Sequence, residues 1–248
     1  MMRTAFVNEF AKMRHLHVGL LITVLGVIML GIGLFSSLGS PDFDRATQDS
    51  WNTLIGGTGS GITLAAPLLL AVIASRQVDI EHQGNGWLMS ATSGVTPGGL
   101  CRAKLLALGL LVAGVTVVTS GLIAGAGLLL GITAPFPTGR WIGFTAALLA
   151  VNLVLLALHT LIAARVENQL VGIGIGLLGT ILALFSTAVP AWISHLTPWG
   201  YYALSTASGY VDGTLVAITP AYPSIAALGV VAAAAFLILT RRFDRKDA

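Results

Sequence analysis

The sequence predicts an all-α membrane protein with six transmembrane helices. Three observations predict it. Of 248 residues, 55% are hydrophobic and only 9% are charged, with a mean hydropathy of +0.88. A soluble core of this size does not need so much apolar surface, whereas a bilayer does. Six apolar runs are each long enough to cross a hydrocarbon core of about 30 Å, which takes about 20 residues. They cover 18–38, 54–75, 105–132, 141–164, 169–189 and 224–240. Finally, the lysines and arginines collect in alternate connections. The runs do not alternate in polarity as barrel strands do. In lipid every backbone donor and acceptor needs an internal partner, so helices are the expected solution.

The elements follow in order. Residues 1–17 precede the first span. Phe6, Phe10 and Met13 stand at i, i+4 and i+7, on one helical face, with Glu9, Lys12 and Arg14 mostly elsewhere. This predicts an amphipathic helix lying in the cytoplasmic interface. The first apolar run is longer than the about 7–15 residues of a cleavable leader, and five more follow, so it reads as a span. Pro67 is expected to kink the second span. The second connection, 76–104, opens with Arg76, Asp79 and Glu81 and bends at Gly84-Asn85-Gly86. It then presents Trp87, Leu88 and Met89 before a Thr96-Pro97-Gly98-Gly99 turn. A short helix here suits either docking to another protein or anchorage of Trp87 at the headgroups.

Eleven of the thirteen cations fall on one side: in the N-terminal segment, the second and fourth connections and the C-terminal segment. Only Arg45 and Arg140 fall on the other. That asymmetry places both termini in the cytoplasm of a multi-pass plasma-membrane protein. The connection 190–223 is then an outer loop. It carries Trp192, Trp199, Tyr201, Tyr202, Tyr210 and Tyr222 with no cation. An interfacial aromatic belt is one reading, and an outer gate built from Pro198, Trp199, Tyr201 and Tyr202 the other. The weakly polar stretch 203–211 suggests a partly re-entrant path. Gly121/Gly125 and Gly127/Gly131 in the third span, and Gly172, Gly174, Gly176 and Gly179 in the fifth, suit close helix packing. The whole chain, 1–248, reads as one transmembrane domain, since no stretch is long and polar enough to be a separate soluble one.

Catalytic signatures are absent. No G-x-x-x-x-G-K-[ST] loop occurs, and Gly56-Gly57-Thr58-Gly59-Ser60-Gly61 has Ile62 where a dinucleotide fingerprint needs glycine. Ser60 and His159 are expected near opposite membrane faces, too far apart for a nucleophile and its base. The five histidines show no convergent metal set. Cys101 is the single cysteine, so no internal disulfide forms. The cations border apolar runs, so no nucleic-acid partner is expected. Asn152 and His159 share a face of the fourth span, where they either bond helix to helix or line a conduit.

The stretch running from Glu81 through Asn85, Gly86 and Trp87 to Thr96-Pro97 and then Arg102 and Lys104 is similar to one in permease subunits of ABC-2-type transporters. There a glutamate, glycine, tryptophan, proline and lysine precede the third span. Gly98-Gly99 stands here where those proteins carry an arginine soon after the proline. Glu167-Asn168 at the start of the glycine-rich fifth span, and Leu196-Thr197-Pro198-Trp199 in the last outer loop, also resemble that family. The likeness is nearest to its lantibiotic-immunity group. The resemblance implies a transport subunit without its own nucleotide site. Two cytoplasmic ATPases would bind ATP and magnesium, and a second permease, identical or related, would complete the pathway. It further implies that the second connection is a coupling helix seated on the ATPase. Asp79, Glu81, Asn85, Trp87 and Leu88, helped by Arg165, Glu167 and Asn168, would transmit motion. The expected cargo is an amphipathic peptide antibiotic or another hydrophobic compound, moved outward. The alternatives are a membrane-embedded enzyme (transferase or protease), which needs convergent carboxylates or a nucleophile–base pair, and an ion-coupled secondary transporter, which needs ionisable groups near the midplane.

Overall fold

The structure, a computed structural model, describes residues 2–246, with side chains from 6 to 244. It is an all-α bundle with six helices long and apolar enough to cross a membrane. They are α2 (Val18–Leu38), α3 (Asp49–Gln83), α5 (Pro97–Leu129), α6 (Thr138–Arg165), α7 (Gln169–Phe185) and α10 (Tyr222–Lys246). They are joined by α1 (Met2–His15), α4 (Gly86–Thr92) and the short α8 (Ala191–Ser194) and α9 (Tyr201–Leu204). α1 and α4 lie on one face of the bundle, and a β-hairpin lies on the other.

Most spans match their apolar runs, and α2 coincides with its run. The main difference is α3, whose 35 residues make a rod about 52 Å long. Its polar ends, 49–53 and 76–83, continue the helix because they pack on neighbours: Trp51, Gln77 and Glu81 are all buried. α3 is the central post, flanked by α2, α6 and α7, while α5 meets α1, α2, α6 and α10. The core sits around α3, with Leu54, Ile62, Leu70 and Ile73 fully buried. The outer helices keep bare apolar sides: only 17% of the apolar segment of α10 is buried, against 61% for α3. An uncovered apolar face of that extent fits a hydrocarbon solvent.

The glycine run 56–61 is helical and serves packing. A methyl group at Gly57 would strike Ser37 and the Gly33 carbonyl, and one at Gly61 the Met29 carbonyl. Small residues four apart thus let the α2 and α3 backbones touch. Ser37 Oγ reinforces the contact by donating to the Thr53 carbonyl at 3.0 Å. The expected glycine faces divide: Gly127 packs on Trp51, and Gly172 and Gly176 pack on α3, whereas Gly121, Gly125, Gly131 and Gly174 face open space.

The connection 190–223 is re-entrant over a different stretch from the expected one. After α7 the chain turns through a 3-10 segment (Ser186–Ala188) and descends into the bundle. It reaches Trp199 in a second 3-10 turn (Pro198–Gly200) and climbs back through α9. Residues 208–217 then form the hairpin, β1 (Ser208–Val211) against β2 (Thr214–Ala217). Its turn, Asp212-Gly213, has both residues at positive φ, 50° and 78°, the conformation that a two-residue hairpin requires.

Candidate functional site

Two regions gather the polar side chains. The first lies on the α1 face. The α1 helix packs Phe6, Phe10 and Met13 against the core, as their spacing predicts. Glu9, however, is also fully buried. It accepts from Lys104 Nζ of α5 at 2.8 Å and from Gln77 Nε2 of α3 at 2.8 Å. Lys104, itself fully buried, also donates to Glu81 Oε1 at 2.7 Å and to the Gln77 carbonyl at 2.8 Å. Lys12 closes the ring, reaching Glu9 at 3.0 Å and Glu81 at 2.6 Å. Two cations and two anions therefore neutralise each other among α1, α3 and α5. Burial alone would lower the Lys12 ammonium, but its bonds to Glu81 and Glu9 outweigh that and hold it above the ordinary lysine value. Desolvating four charges is costly unless pairing and hydrogen bonding are nearly complete. Gly86, at the start of α4, sits so close over Glu81 that a side chain there would collide with the carboxylate.

The α4 helix is anchored by a short relay. Trp87 Nε1 donates to His82 Nδ1 at 3.3 Å, and the two rings meet edge-on at 5.6 Å. With Nδ1 accepting, Nε2 carries the proton and donates to the Ala163 carbonyl near the end of α6, at 2.9 Å. One side chain thus links α4, α3 and α6. Beyond Trp87, Leu88 and Met89 stand 67% and 65% exposed. Asp79, held by Gln83 Nε2, lines a small hollow with Glu167 and Asn168. Asn168 caps α7, its Oδ1 accepting from the Leu170 amide at 2.9 Å. Arg165 is exposed and lies over the Phe243 ring, 5.1 Å from its centre. The coupling candidates therefore fall in one neighbourhood with different exposures. Glu81 is interior, Trp87 half-buried, and Asn85, Leu88, Arg165, Glu167 and Asn168 are exposed.

The Pro97-Gly98-Gly99 turn has a structural reason of its own. Thr96 Oγ1 accepts from the Gly99 amide at 3.1 Å as the cap of α5. Gly98 lies against the Thr240 carbonyl with no room for a side chain, and its amide donates to Asp244 at 2.8 Å. Glycine after the proline lets the end of α10 seat on the start of α5.

The second region is the re-entrant loop and the cavity beside it. Trp199 packs its indole on Gly179, six residues or about 9 Å from the Phe185 end of α7 where the loop begins. Its ring meets His159 of α6 edge-on at 6.2 Å. Irregular backbone at such depth is tolerated where protein or a cavity surrounds it. Higher up, the Tyr202 hydroxyl donates to Asn152 Oδ1 at 2.6 Å, and Asn152 Nδ2 donates to Thr116 Oγ1 at 3.1 Å. The gate and pathway candidates thus meet in pairs: Trp199 and His159 by ring contact alone, and Tyr202 and Asn152 by a hydrogen bond. Tyr201 and Tyr202 are buried, Pro198 and Trp199 half-buried, and only Trp192, Tyr210 and Tyr222 keep the exposure of an interfacial belt.

A cavity of about 810 Å³ opens between α2, α3, α7 and this loop on the hairpin side. Hydroxyls and an amide line it (Ser36, Asn52, Ser60, Thr63, Thr206), with Phe144 as an apolar wall, and none of its lining residues is charged. Tyr202 reaches it; Asn152 and His159 do not. The hairpin roofs it and is tied down where the Tyr210 hydroxyl donates to Asp42 at 2.5 Å, which raises that phenol above the ordinary tyrosine value.

Ser60 Oγ donates to the Gly56 carbonyl at 3.0 Å, and His159 lies on another helix with its ring against Trp199 and neither ring nitrogen hydrogen-bonded among the described residues. Among the described residues no three His, Cys, Asp or Glu side chains converge on a metal position. Sequence reasoning missed the roles of Glu9, Gln77 and Lys104 as one cluster, and Gly57/Gly61 as a packing motif. The hairpin had a signal in the sequence, Val211-Asp212-Gly213-Thr214.

Comparison with known proteins agrees with a transport scaffold. No curated protein matches the chain. Residues 5–183, which run from α1 through the central post to α7, match the family described as ABC-2 family transporter protein. With nearly three-quarters of its length so matched and six helices long and apolar enough to cross a membrane, the chain belongs to the ABC-2 family of transporter membrane proteins.

Proposed function

We propose that this chain is the membrane subunit of an ATP-driven exporter, with the α1 face in the cytoplasm. Two separate ATPase subunits drive it, and a second permease, identical or related, completes it. The charge asymmetry supports the orientation, because the cation-rich connections all lie on the α1 face. Cargo is an amphipathic or hydrophobic compound; a peptide antibiotic of the lantibiotic type fits the resemblance. The uncharged, hydroxyl-bearing cavity on the hairpin side suits such a molecule, since it offers hydrogen bonds without demanding a countercharge.

The observation that carries the proposal is the tethered α4 helix. Leu88 and Met89 project as an apolar knob, and the Trp87–His82–Ala163 relay behind them joins two spans. A partner that seats on the knob pulls α3 and α6 together. Glu81 acts from inside, holding α3 to α1 and α5, so that the pull moves a braced unit. Binding of ATP to the partner shifts the equilibrium between inward- and outward-open states only through a difference in affinity for the two.

The test is co-purification of an ATPase with the tagged chain, followed by Trp87→Ala. ATP turnover is expected to persist while transport falls, with the melting temperature of the bundle little changed. Full transport by a chain with no ATPase bound would reject the proposal.

A further inference from the structure

We propose that a groove between α5, α6 and α10 binds one anionic phospholipid, with an acyl chain in the groove and the phosphate between Arg102 and Arg241. The groove has a volume of about 540 Å³, and Arg102 is the only charged residue lining it among the described residues. Small residues create it: Ala150, Ala157, Gly229 and Ala233 stand where larger side chains would fill the space. Gly229 has no heavy atom near where a side chain would begin. Its rims, Leu106 and Leu237, are 54% and 44% exposed, so it is open to the side.

The charge at its mouth selects the occupant. Arg102 lies one turn before Leu106 on α5, and Arg241 one turn after Leu237 on α10, each on the same stripe of its helix. Arg102 donates to Thr240 at 3.1 Å and pairs with Asp244 at 3.1 Å, which brings these two helix ends to the same place. Arg241 and Arg242 are exposed and have no carboxylate partner among the described residues. Among the described residues, Arg102 and Arg241 against Asp244 leave a positive excess at the end of an apolar slot. A phosphate fits between guanidinium groups, which bind it through paired N–H donors. A second copy of this chain is disfavoured there, because a two-fold contact would set the same cationic patch against itself.

The experiment is native mass spectrometry of the full-length chain titrated with phosphatidylglycerol or with phosphatidylcholine of the same acyl composition. One phosphatidylglycerol is expected to bind in clear preference. Arg241→Gln should weaken that lipid about fivefold, the worth of one cation near an anionic headgroup, and weaken phosphatidylcholine less, because its choline offsets the phosphate charge. Gly229→Leu should fill the slot and abolish the one-to-one complex; should it fail to fold, the Arg241 variant carries the test alone. Equal binding of the two lipids, undiminished binding to a folded Gly229→Leu, or a disulfide between two copies carrying Leu237→Cys would each overturn the proposal.

Discussion

Lys104→Met removes the cation that holds the α1 face together. Lys104 is fully buried and donates three hydrogen bonds of 2.7–2.8 Å, to Glu9, Glu81 and the Gln77 carbonyl. Methionine fills similar space but leaves two carboxylates, 0% and 2% exposed, with only the part-exposed Lys12 as countercharge. Breaking one side of a buried ion pair costs about 3–5 kcal/mol. Lys12 stays in contact with both carboxylates, so the lower end applies, about 3 kcal/mol. A chain of this size loses about 2–4 °C per kcal/mol. The melting point of the purified chain, followed by tryptophan fluorescence in mild detergent, should therefore fall by roughly 6–12 °C. Glu81→Gln alone should also destabilise, and the double variant should cost at least about 1 kcal/mol less than the two singles added, because each single strands the partner that the double removes. If Lys104→Met melts with the wild type, or the two effects simply add, the cluster is not a coupled buried unit.

Tyr202→Phe strands the buried Asn152 Oδ1; a loss of about 1–3 kcal/mol is expected, and Asn152→Leu in the same background should recover part of it in the same melt. Gly61→Ala pushes a methyl group into the Met29 carbonyl and should cost about 1–3 kcal/mol, whereas Gly121→Ala, which meets open space, should be neutral or gain up to about 1 kcal/mol from helix propensity. Matched losses for the two glycines would contradict the α2–α3 contact. The Tyr210 phenol, raised by the Asp42 carboxylate, holds the hairpin contact in its protonated form. The contact is therefore complete below the ordinary tyrosine value and is lost as pH rises through the raised one. Ultraviolet titration should show a late-ionising tyrosine, absent from Tyr210→Phe, that becomes earlier in Asp42→Asn.

The sequence alone determined where the chain crosses the membrane, because the cost of placing a residue in hydrocarbon is local and sums along a run. Hence α2 follows its apolar stretch, and the inward face of α1 was legible from Phe6, Phe10 and Met13 at helical spacing. The short helix around Trp87 was legible too, between the breakers at Gly84-Asn85-Gly86 and Thr96-Pro97. Other features had local signals that competing readings overrode, such as Asp212-Gly213 in the hairpin turn and Gly57/Gly61 inside a run tested as a phosphate loop. What the tertiary structure decided is which distant groups meet. A carboxylate such as Glu9 reads as surface until Lys104, 95 positions away, meets it and offsets its desolvation. The depth of Trp199 likewise depends on the gap that Gly179 leaves on another helix. Pairing and close packing are properties of neighbours in space, and hydropathy along the chain carries no record of them.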